Sequence, residues 1–211
     1  MGGNVPTSLK PLADYVRVKN RAMGFKETIG LYPGSPQLII DHLRAGDDYH
    51  GYELRDDDFH LLRKRIMPRG LTRQVDGYEA GLAAFEDPKS LFYLIDPPFE
   101  RFDDYERVIS LCAQIFTHRA DSTVLIWVPL KDLETFDRFL RLLERDMPKD
   151  RPEITVCELR LRPLTAPMKL NGCALLALGT PESFFADLAL VAKDIIRLFG
   201  QDGAKEKLGV L

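Results

Sequence analysis

Apolar positions in the second half of the chain follow the spacing of β-strands. Residues 91–95 (LFYLI) form a continuous apolar run, typical of a strand that is buried on both faces. Residues 123–128 and 173–178 are apolar as well, and residues 154–161 alternate between apolar and polar side chains. Four strands are therefore predicted between residues 91 and 178.

Between and around these strands, apolar residues recur at helical spacing. Helices are predicted over residues 9–23, 56–66, 77–85, 103–119, 131–146 and 181–199, and two shorter strands over 48–53 and 71–75. Because strands and helices alternate, the pattern predicts a Rossmann-like α/β fold with a mainly parallel sheet and helices on both faces. We expect residues 1–30 to form a helical lead-in, 31–200 the α/β domain and 201–211 a flexible tail.

Composition narrows the classes of protein to which the chain can belong. It has 211 residues, 45% apolar and 29% charged, with a formal net charge of −3, which excludes a disordered chain and one held on nucleic acid by bulk charge. No apolar run approaches the roughly 18 residues of a membrane span. The cysteines and histidines lack metal-ligand spacing, so we expect no metal site. We also expect the cysteines to be reduced thiols, the protein to be cytoplasmic, and no contact with a membrane.

Three of the predicted strands end in an acidic residue: Glu53, Asp76 and Asp96. In a parallel sheet, the carboxyl ends of the strands lie along one edge, where doubly wound folds bind their ligands. We therefore expect the three carboxylates to line one crevice. The alternative is that each acid merely caps the helix that follows it.

The segment Asp96-Pro97-Pro98-Phe99 gives the third strand end a specific chemistry. The two prolines stiffen the backbone and remove two amide donors. The Asp96 carboxylate and the Pro97 carbonyl are then placed to accept both hydrogens of an exocyclic amino group, while Phe99 stacks on the ring. The alternative is a structural turn at the end of a strand.

These residues resemble class I S-adenosylmethionine-dependent amino-methyltransferases, whose signature at this strand is (D/N)PP(Y/F/W). More narrowly, the chain resembles the RlmJ family, bacterial methyltransferases of adenine N6 in 23S ribosomal RNA. The matching segments are YPGSP at 32–36, YEL at 52–54, DFHLLR at 58–63, VDGY at 75–78, LIDPPFE at 94–100, DY at 104–105, WVP at 127–129 and the loop 168–173. The resemblance implies a Rossmann-like methyltransferase fold over residues 31–200.

The same resemblance implies a role for each residue that matches a cofactor-binding position. Ser35 contacts S-adenosylmethionine, Glu53 holds its ribose hydroxyls, and Asp76 with the backbone of Gly77 contacts its adenine. Asp96 is implied to bind the cofactor as well. No metal is implied, because the sulfonium of the cofactor is already an activated electrophile.

On the target side, the resemblance implies that Asp96 binds the amino group and that Pro97, Pro98 and Phe99 shape the base pocket. Phe99 replaces the tyrosine of the RlmJ relatives, which removes a hydroxyl but keeps the stacking face. Because the adenine has to leave its stack, the implied partner is 23S ribosomal RNA in an unfolded or protein-free form. We expect the protein to act as a monomer.

Basic residues form two groups that are candidates for phosphate contacts. The first contains Arg160 and Arg162 on one strand, with Lys169 and Asn171 on the loop that follows. The second contains Arg63, Lys64, Arg65, Arg69 and Arg73. For the second group, a solvated helix face is the favoured alternative.

The resemblance departs from the family pattern upstream of residue 30. The family has there a first strand that ends in a D-x-H-A-G-x-G loop, and residues 1–30 contain no counterpart. The first strand is either lost by truncation, which we favour, or supplied by a partner, or missing from a degenerate methyltransferase. We therefore expect these 211 residues to form an N-terminally incomplete sheet and to bind S-adenosylmethionine weakly or not at all. A catalytically inactive module that binds RNA or protein and a methyltransferase of DNA adenine N6 remain as alternatives.

Overall fold

Two units make up the fold, residues 1–80 and residues 81–211. The computed structural model of the protein describes residues 5–86, 89–164 and 171–211. Each unit contains its own sheet, with two strands in the first and five in the second. The chain therefore has a mixed α/β fold, as predicted, but its strands do not form one continuous hydrogen-bonded sheet.

The first unit is organised around two short parallel strands. Its elements are α1 (Lys10–Ala22), α2 (Ser35–His42), β1 (His50–Tyr52), α3 (Asp56–Ile66), β2 (Leu71–Arg73) and the start of α4 (Gly77–Leu82). Helix α3 connects β1 to β2, and its first turn is acidic and its last turn basic, in agreement with the helix dipole. Phe59 and Ile66 form its buried face.

A nearly buried carboxylate, Asp41, ties the helices of this unit together. It accepts hydrogen bonds from the Tyr15 hydroxyl at 2.6 Å and the Gln37 amide at 3.0 Å, and it pairs with Lys19 at 2.6 Å and Arg69 at 3.0 Å. Burial alone would raise the pKa of Asp41, but the hydrogen bonds from Lys19, Tyr15 and Gln37 outweigh it and hold that pKa well below its usual range. Asp41 therefore joins α1, α2 and the segment after α3.

The second unit contains a five-stranded sheet and three long helices. Its elements are a 3₁₀ turn (Ala83–Glu86), β3 (Phe92–Ile95), α5 (Asp104–His118), β4 (Thr123–Pro129), α6 (Leu133–Asp146), β5 (Thr155–Arg160), β6 (Gly172–Leu178), α7 (Glu182–Phe199) and β7 (Lys205–Val210). The strand order is β3-β4-β6-β5-β7. The most deeply buried side chains come from β4, β6, α5 and α6, so the core lies around the middle of this sheet.

The prediction of a mainly parallel sheet is wrong for the second unit. Only β3 and β4 pair in parallel, whereas β6 runs antiparallel to both of its neighbours, β4 and β5. The reason lies in the sequence of the connection between β5 and β6, residues 161–171. It has none of the apolar periodicity of a crossover helix, which parallel pairing of consecutive strands would require. At the start of β6 the backbones approach closely, because a Cβ on Gly172 would lie 2.0 Å from the carbonyl oxygen of Leu159.

The prediction of a flexible tail over residues 201–211 is also wrong. Residues 205–210 form β7, which pairs antiparallel with β5 at the edge of the sheet. The amide of Leu211 extends this ladder by donating to Ile154 at 3.0 Å. Alternating lysine and glutamate at the start of β7 resemble a polar tail in the sequence, whereas an edge strand with one solvated face has the same composition.

Strand β3 is exposed where the sequence predicts burial. It lies at the edge of the five-stranded sheet, and Phe92 is 53% exposed and Leu94 37% exposed. Ile95 is buried, so only one face of the strand contributes to the core. An apolar run therefore identifies the strand correctly but does not show how many of its faces are covered.

Replacing Asp41 with asparagine is expected to destabilise the first unit. The change removes the charge that Lys19 and Arg69 face and weakens several hydrogen bonds, so the free energy of unfolding at pH 7 should fall by about 1–2 kcal/mol. Because the pKa of Asp41 is lowered by folding, the difference from the wild type should shrink as the pH falls below about 4.

Urea denaturation at pH 7 and at pH 3 measures both effects. Asp14→Asn is the matched control, because Asp14 forms its ion pairs at the exposed surface and its replacement should leave stability nearly unchanged. Equal stability of the Asp41 variant and the wild type at pH 7 would contradict the role of the cluster.

Candidate active site

Parallel pairing brings two of the predicted acids to one edge of the first unit. Glu53 follows β1 directly and its amide donates to the carbonyl of Arg73, while Asp76 lies between β2 and α4. Both carboxylates also accept local amide hydrogen bonds, Glu53 from Arg55 at 2.9 Å and Asp76 from Tyr78 at 3.0 Å. The capping interpretation therefore describes part of what these two side chains do.

Ser35 occupies the helix start that the sequence predicts. It is the first residue of α2, after Gly34, and the preceding segment is fixed by the buried side chain of Asn20. The Asn20 amide donates to the carbonyl of Leu31 at 2.7 Å and accepts from the amides of Gly30 and Leu31 at 2.8 Å. Ser35 is partly exposed.

The donor set at this edge fits part of S-adenosylmethionine. Carboxylates such as Glu53 accept hydrogen bonds from ribose hydroxyls, and a carboxylate beside a glycine backbone, as at Asp76 and Gly77, matches an adenine edge. Gly77 is exposed at the start of α4. The roles of Ser35, Glu53, Asp76 and Gly77 stay predictions.

Asp96 differs from Glu53 and Asp76 because its carboxylate has no partner among the described residues. It leaves the end of β3 with its side chain exposed, and it forms no hydrogen bond or ion pair with any other residue that the structure describes. Partial burial nevertheless raises the pKa of this carboxyl above its ordinary value. Asp96 is thus an exposed acceptor whose hydrogen-bonding capacity is unused among the described residues.

Phe99 at the end of the motif is held in an uncommon conformation. Its φ angle is 51°, in the left-handed region, and among the described residues other than glycine it is alone there. Its ring is 2% exposed and packs on Tyr105, with the ring centroids 4.7 Å apart. Tyr105 in turn packs on Phe139 of α6 at 5.5 Å. In this conformation the Phe99 ring therefore belongs to the core, and Pro98 is the exposed residue beside Asp96.

Two residues that support this motif carry no role in the sequence analysis. Lys131, in the loop between β4 and α6, donates from its ammonium to the carbonyl of Phe99 at 2.6 Å. Tyr105 is half-buried, and burial together with the nearby charges of Asp132 and Asp104 raises the pKa of its hydroxyl, so the ring stays neutral. Tyr105 belongs to a matched motif, whereas nothing in the sequence identifies Lys131, because its partner is a backbone atom distant along the chain.

The predicted RNA-contacting residues near β5 and β6 have different surroundings. Arg160 pairs with the buried Glu158 at 2.5 Å, while Arg162 is partly exposed beyond the strand end. Asn171 is fully buried and its amide lies 3.4 Å from the carbonyl oxygen of Lys131, so this structure gives it a structural position. Lys169 lies outside the described residues.

The basic group on α3 is largely a solvated surface. Arg63, Lys64 and Arg65 are exposed, as is Arg73 on β2. Arg69 has a different role, because it pairs with Asp41 and donates to the carbonyl of Ile40 at 2.6 Å. This pattern agrees with the favoured alternative of a solvated helix face.

The described part of the chain contains neither a cluster of metal ligands nor a membrane-spanning helix. Within residues 5–86, 89–164 and 171–211, no three histidine, cysteine, aspartate or glutamate side chains lie close enough together to hold a metal ion. No helix in the same ranges is both long and apolar enough to cross a bilayer.

Comparison with protein families gives one match over nearly the whole chain. The model of the family described as "Ribosomal RNA large subunit methyltransferase D, RlmJ" matches residues 2–207. Two curated relatives carry the name ribosomal RNA large subunit methyltransferase J. The protein from Escherichia coli K12 is 30% identical over 67% of this chain, and the one from Haemophilus influenzae is 28% identical over 81%. The aligned region spans 50% and 60% of the length of these relatives.

A solved structure shows the same fold. The crystal structure of protein LPL1258 from Legionella pneumophila superposes with a TM-score of 0.85, at 23% identity, over 98% of this chain and 75% of that one. At this identity the likeness concerns the fold alone.

Replacing Tyr105 with alanine is expected to loosen the row of rings that anchors Phe99. Loss of the contacts on both sides of the ring should lower the free energy of unfolding by about 2–3 kcal/mol. Thermal or urea denaturation measures the effect. Tyr105→Phe keeps the ring and should stay within about 0.5 kcal/mol of the wild type. Equal losses in both variants would show that the hydroxyl, not the ring packing, matters.

Proposed function

The chain belongs to the RlmJ family of ribosomal RNA large subunit methyltransferases, and on that premise we propose that it transfers a methyl group from S-adenosylmethionine to N6 of an adenine in 23S ribosomal RNA. The observation that carries the proposal is Asp96. This carboxyl ends β3 inside an Asp-Pro-Pro-Phe segment, is accessible, and is unpaired among the described residues.

The chemistry of an adenine amino group explains why such a carboxylate is needed. The nitrogen lone pair is delocalised into the ring, so the amine is a poor nucleophile. A carboxylate that accepts an N–H bond, helped by the adjacent Pro97 carbonyl, orients the amine so that its lone pair points at the electrophile. Asp96 does not have to be a strong base, because the amine proton becomes acidic once the nitrogen is methylated.

Cofactor binding is proposed for the edge of the first unit. S-adenosylmethionine, when bound, supplies a methyl group on a sulfonium, and no metal is required. Glu53 would accept the ribose hydroxyls, Asp76 with the Gly77 backbone would bind the adenine, and Ser35 would add a hydroxyl contact. The support for these roles is the shared edge of β1 and β2, which gathers two carboxylates beside accessible backbone groups.

The proposed substrate is 23S ribosomal RNA with the target region unfolded or free of protein. An adenine inside a helix does not expose its amino group to a protein carboxylate, so the base has to be extruded or single-stranded. Because the Phe99 ring is buried against Tyr105, stacking of Phe99 on the base would require that ring to turn outward.

A catalytically inactive RNA-binding module is the second candidate. One observation favours it, namely that Glu53 and Asp76 already accept local amide hydrogen bonds. Under this alternative the protein binds RNA, but Asp96 has no effect on any reaction. Methylation of DNA adenine uses the same pocket chemistry and is tested beside RNA below.

Replacing Asp96 with alanine is expected to abolish methyl transfer in the full-length protein. Alanine removes the acceptor for the amino group, so incorporation of labelled methyl groups into protein-free 23S RNA should fall at least about a hundredfold. Mass spectrometry of the digested RNA identifies the product as N6-methyladenosine. Retained activity would dismiss the role of Asp96, and methylation of DNA in preference to RNA would favour the DNA alternative.

A second variant, Asp96→Asn, is expected to fold at least as stably as the wild type. Because burial raises the pKa of Asp96, its charged form is penalised in the folded state, and the neutral asparagine avoids that penalty at pH 7. The advantage should disappear as the pH falls through the raised pKa toward acid, where Asp96 is itself neutral. Urea denaturation at pH 7 and pH 3 checks the sign, which is opposite to that expected for Asp41→Asn.

A further inference from the structure

We propose that Lys131 is a positioning residue for the segment Asp96–Phe99. Its ammonium holds the backbone of Phe99 in the left-handed conformation, and this fixes the direction in which Asp96 leaves β3. The kinetic part of this inference rests on the proposed methyl transfer, whereas its structural part does not.

The need for such a residue follows from the backbone of Phe99. A φ of 51° brings the Cβ of an L-residue close to the following carbonyl oxygen, so a phenylalanine stays there only when its surroundings hold it. The two prolines before it leave few other ways for the segment to relax. Release of Phe99 would therefore change the path of the whole motif, back to Asp96.

Two attachments hold Phe99, and they act on different parts of the residue. The ring is fixed by packing on Tyr105, which restrains the side chain. The carbonyl accepts a hydrogen bond of 2.6 Å from the Lys131 ammonium, which restrains the peptide plane. A bond from a charged donor in a partly buried place is stronger than one from water. Lys131 therefore controls the backbone angle, which the ring contact alone does not determine.

Lys131 can do this because its own backbone is fixed on both sides. The amide of Leu130, which is fully buried, donates to the carbonyl of Gly172 at 3.0 Å. On the other side, Asp132 caps α6 by accepting the amide of Thr135 at 2.7 Å. The lysine side chain thus extends from a well-fixed strand-to-helix connection, and its hydrogen bond restrains the backbone of Phe99.

Hydrogen exchange tests the structural part of the proposal on the 211-residue chain. Lys131→Met keeps the length and apolar stem of the side chain but removes the donor. The amide of Arg101, which donates to the Asp104 carboxylate at 3.0 Å, should exchange about tenfold faster, with the rest of the second unit unchanged. Lys193→Met, an exposed lysine on α7, is the matched control and should change nothing in this segment. Unchanged exchange in the Lys131 variant would overturn the proposal.

Kinetics on the full-length protein test the functional part. Lys131→Met should lower kcat for methyl transfer about tenfold to a hundredfold and leave the KM for S-adenosylmethionine within about twofold, because only the amine is mispositioned. Lys131→Arg keeps a charged donor and should recover part of kcat. A variant with faster exchange at the Arg101 amide but an unchanged kcat would refute the positioning role.

The design keeps the two proposals separable. If the wild type methylates no nucleic acid, the proposed function fails, while hydrogen exchange still decides whether Lys131 holds Phe99. If Lys131→Met does not fold, Lys131→Gln, which is neutral and more polar, is measured in the same way. A general loss of protection across the second unit in both variants would show a structural role only and overturn the proposal.

Discussion

The parallel pairing of β3 and β4 is the constraint on which the candidate site depends. Ile95 lies opposite Ile126, and β4 continues three residues further to Pro129, so both strands send their following loops to the same edge of the sheet. Strand β4 is held by side chains with no exposed surface, whereas β3 is short and lies at the sheet edge. The position of Asp96 therefore depends on the pairing of β3 with the better-packed β4. The loop after β4 also supplies Lys131, which donates a hydrogen bond to the motif.

The sequence predicts the elements of the fold well but not how the strands are arranged. Apolar runs and helical spacing locate β3, β4, α5, α6 and α7, because burial leaves a direct trace in hydropathy. Strand direction leaves no such trace. The antiparallel β6 agrees with a connecting sequence that has no helical periodicity. Strand β7 is half polar because one of its faces is solvated, so its composition alone does not identify it as a strand. The exposure of Phe92 is likewise a tertiary property, set by which neighbours the strand has.

For the candidate site, the sequence supplies the reacting groups and the structure supplies their support. The acids at 53, 76 and 96 all follow strands or precede helices as predicted, and Ser35 begins α2. Convergence of all three acids stays a prediction, since they belong to two separate units. The left-handed conformation of Phe99 was not predictable, because glycine and asparagine commonly adopt it and phenylalanine rarely does. What stabilises it is a contact between residues 99 and 131, which no local pattern records.

The close approach at Gly172 limits how the hairpin beside the site can be redesigned. The space for a first side-chain carbon is already filled by the backbone oxygen of Leu159, so the residue that opens β6 cannot carry even a methyl group without separating the two strands. The amide of Leu130 donates a hydrogen bond to the carbonyl of the same glycine, so separating the two strands would also strain the end of β4. A connection grafted in place of residues 161–171 would therefore have to keep the buried Asn171 at its end and be followed by glycine at position 172.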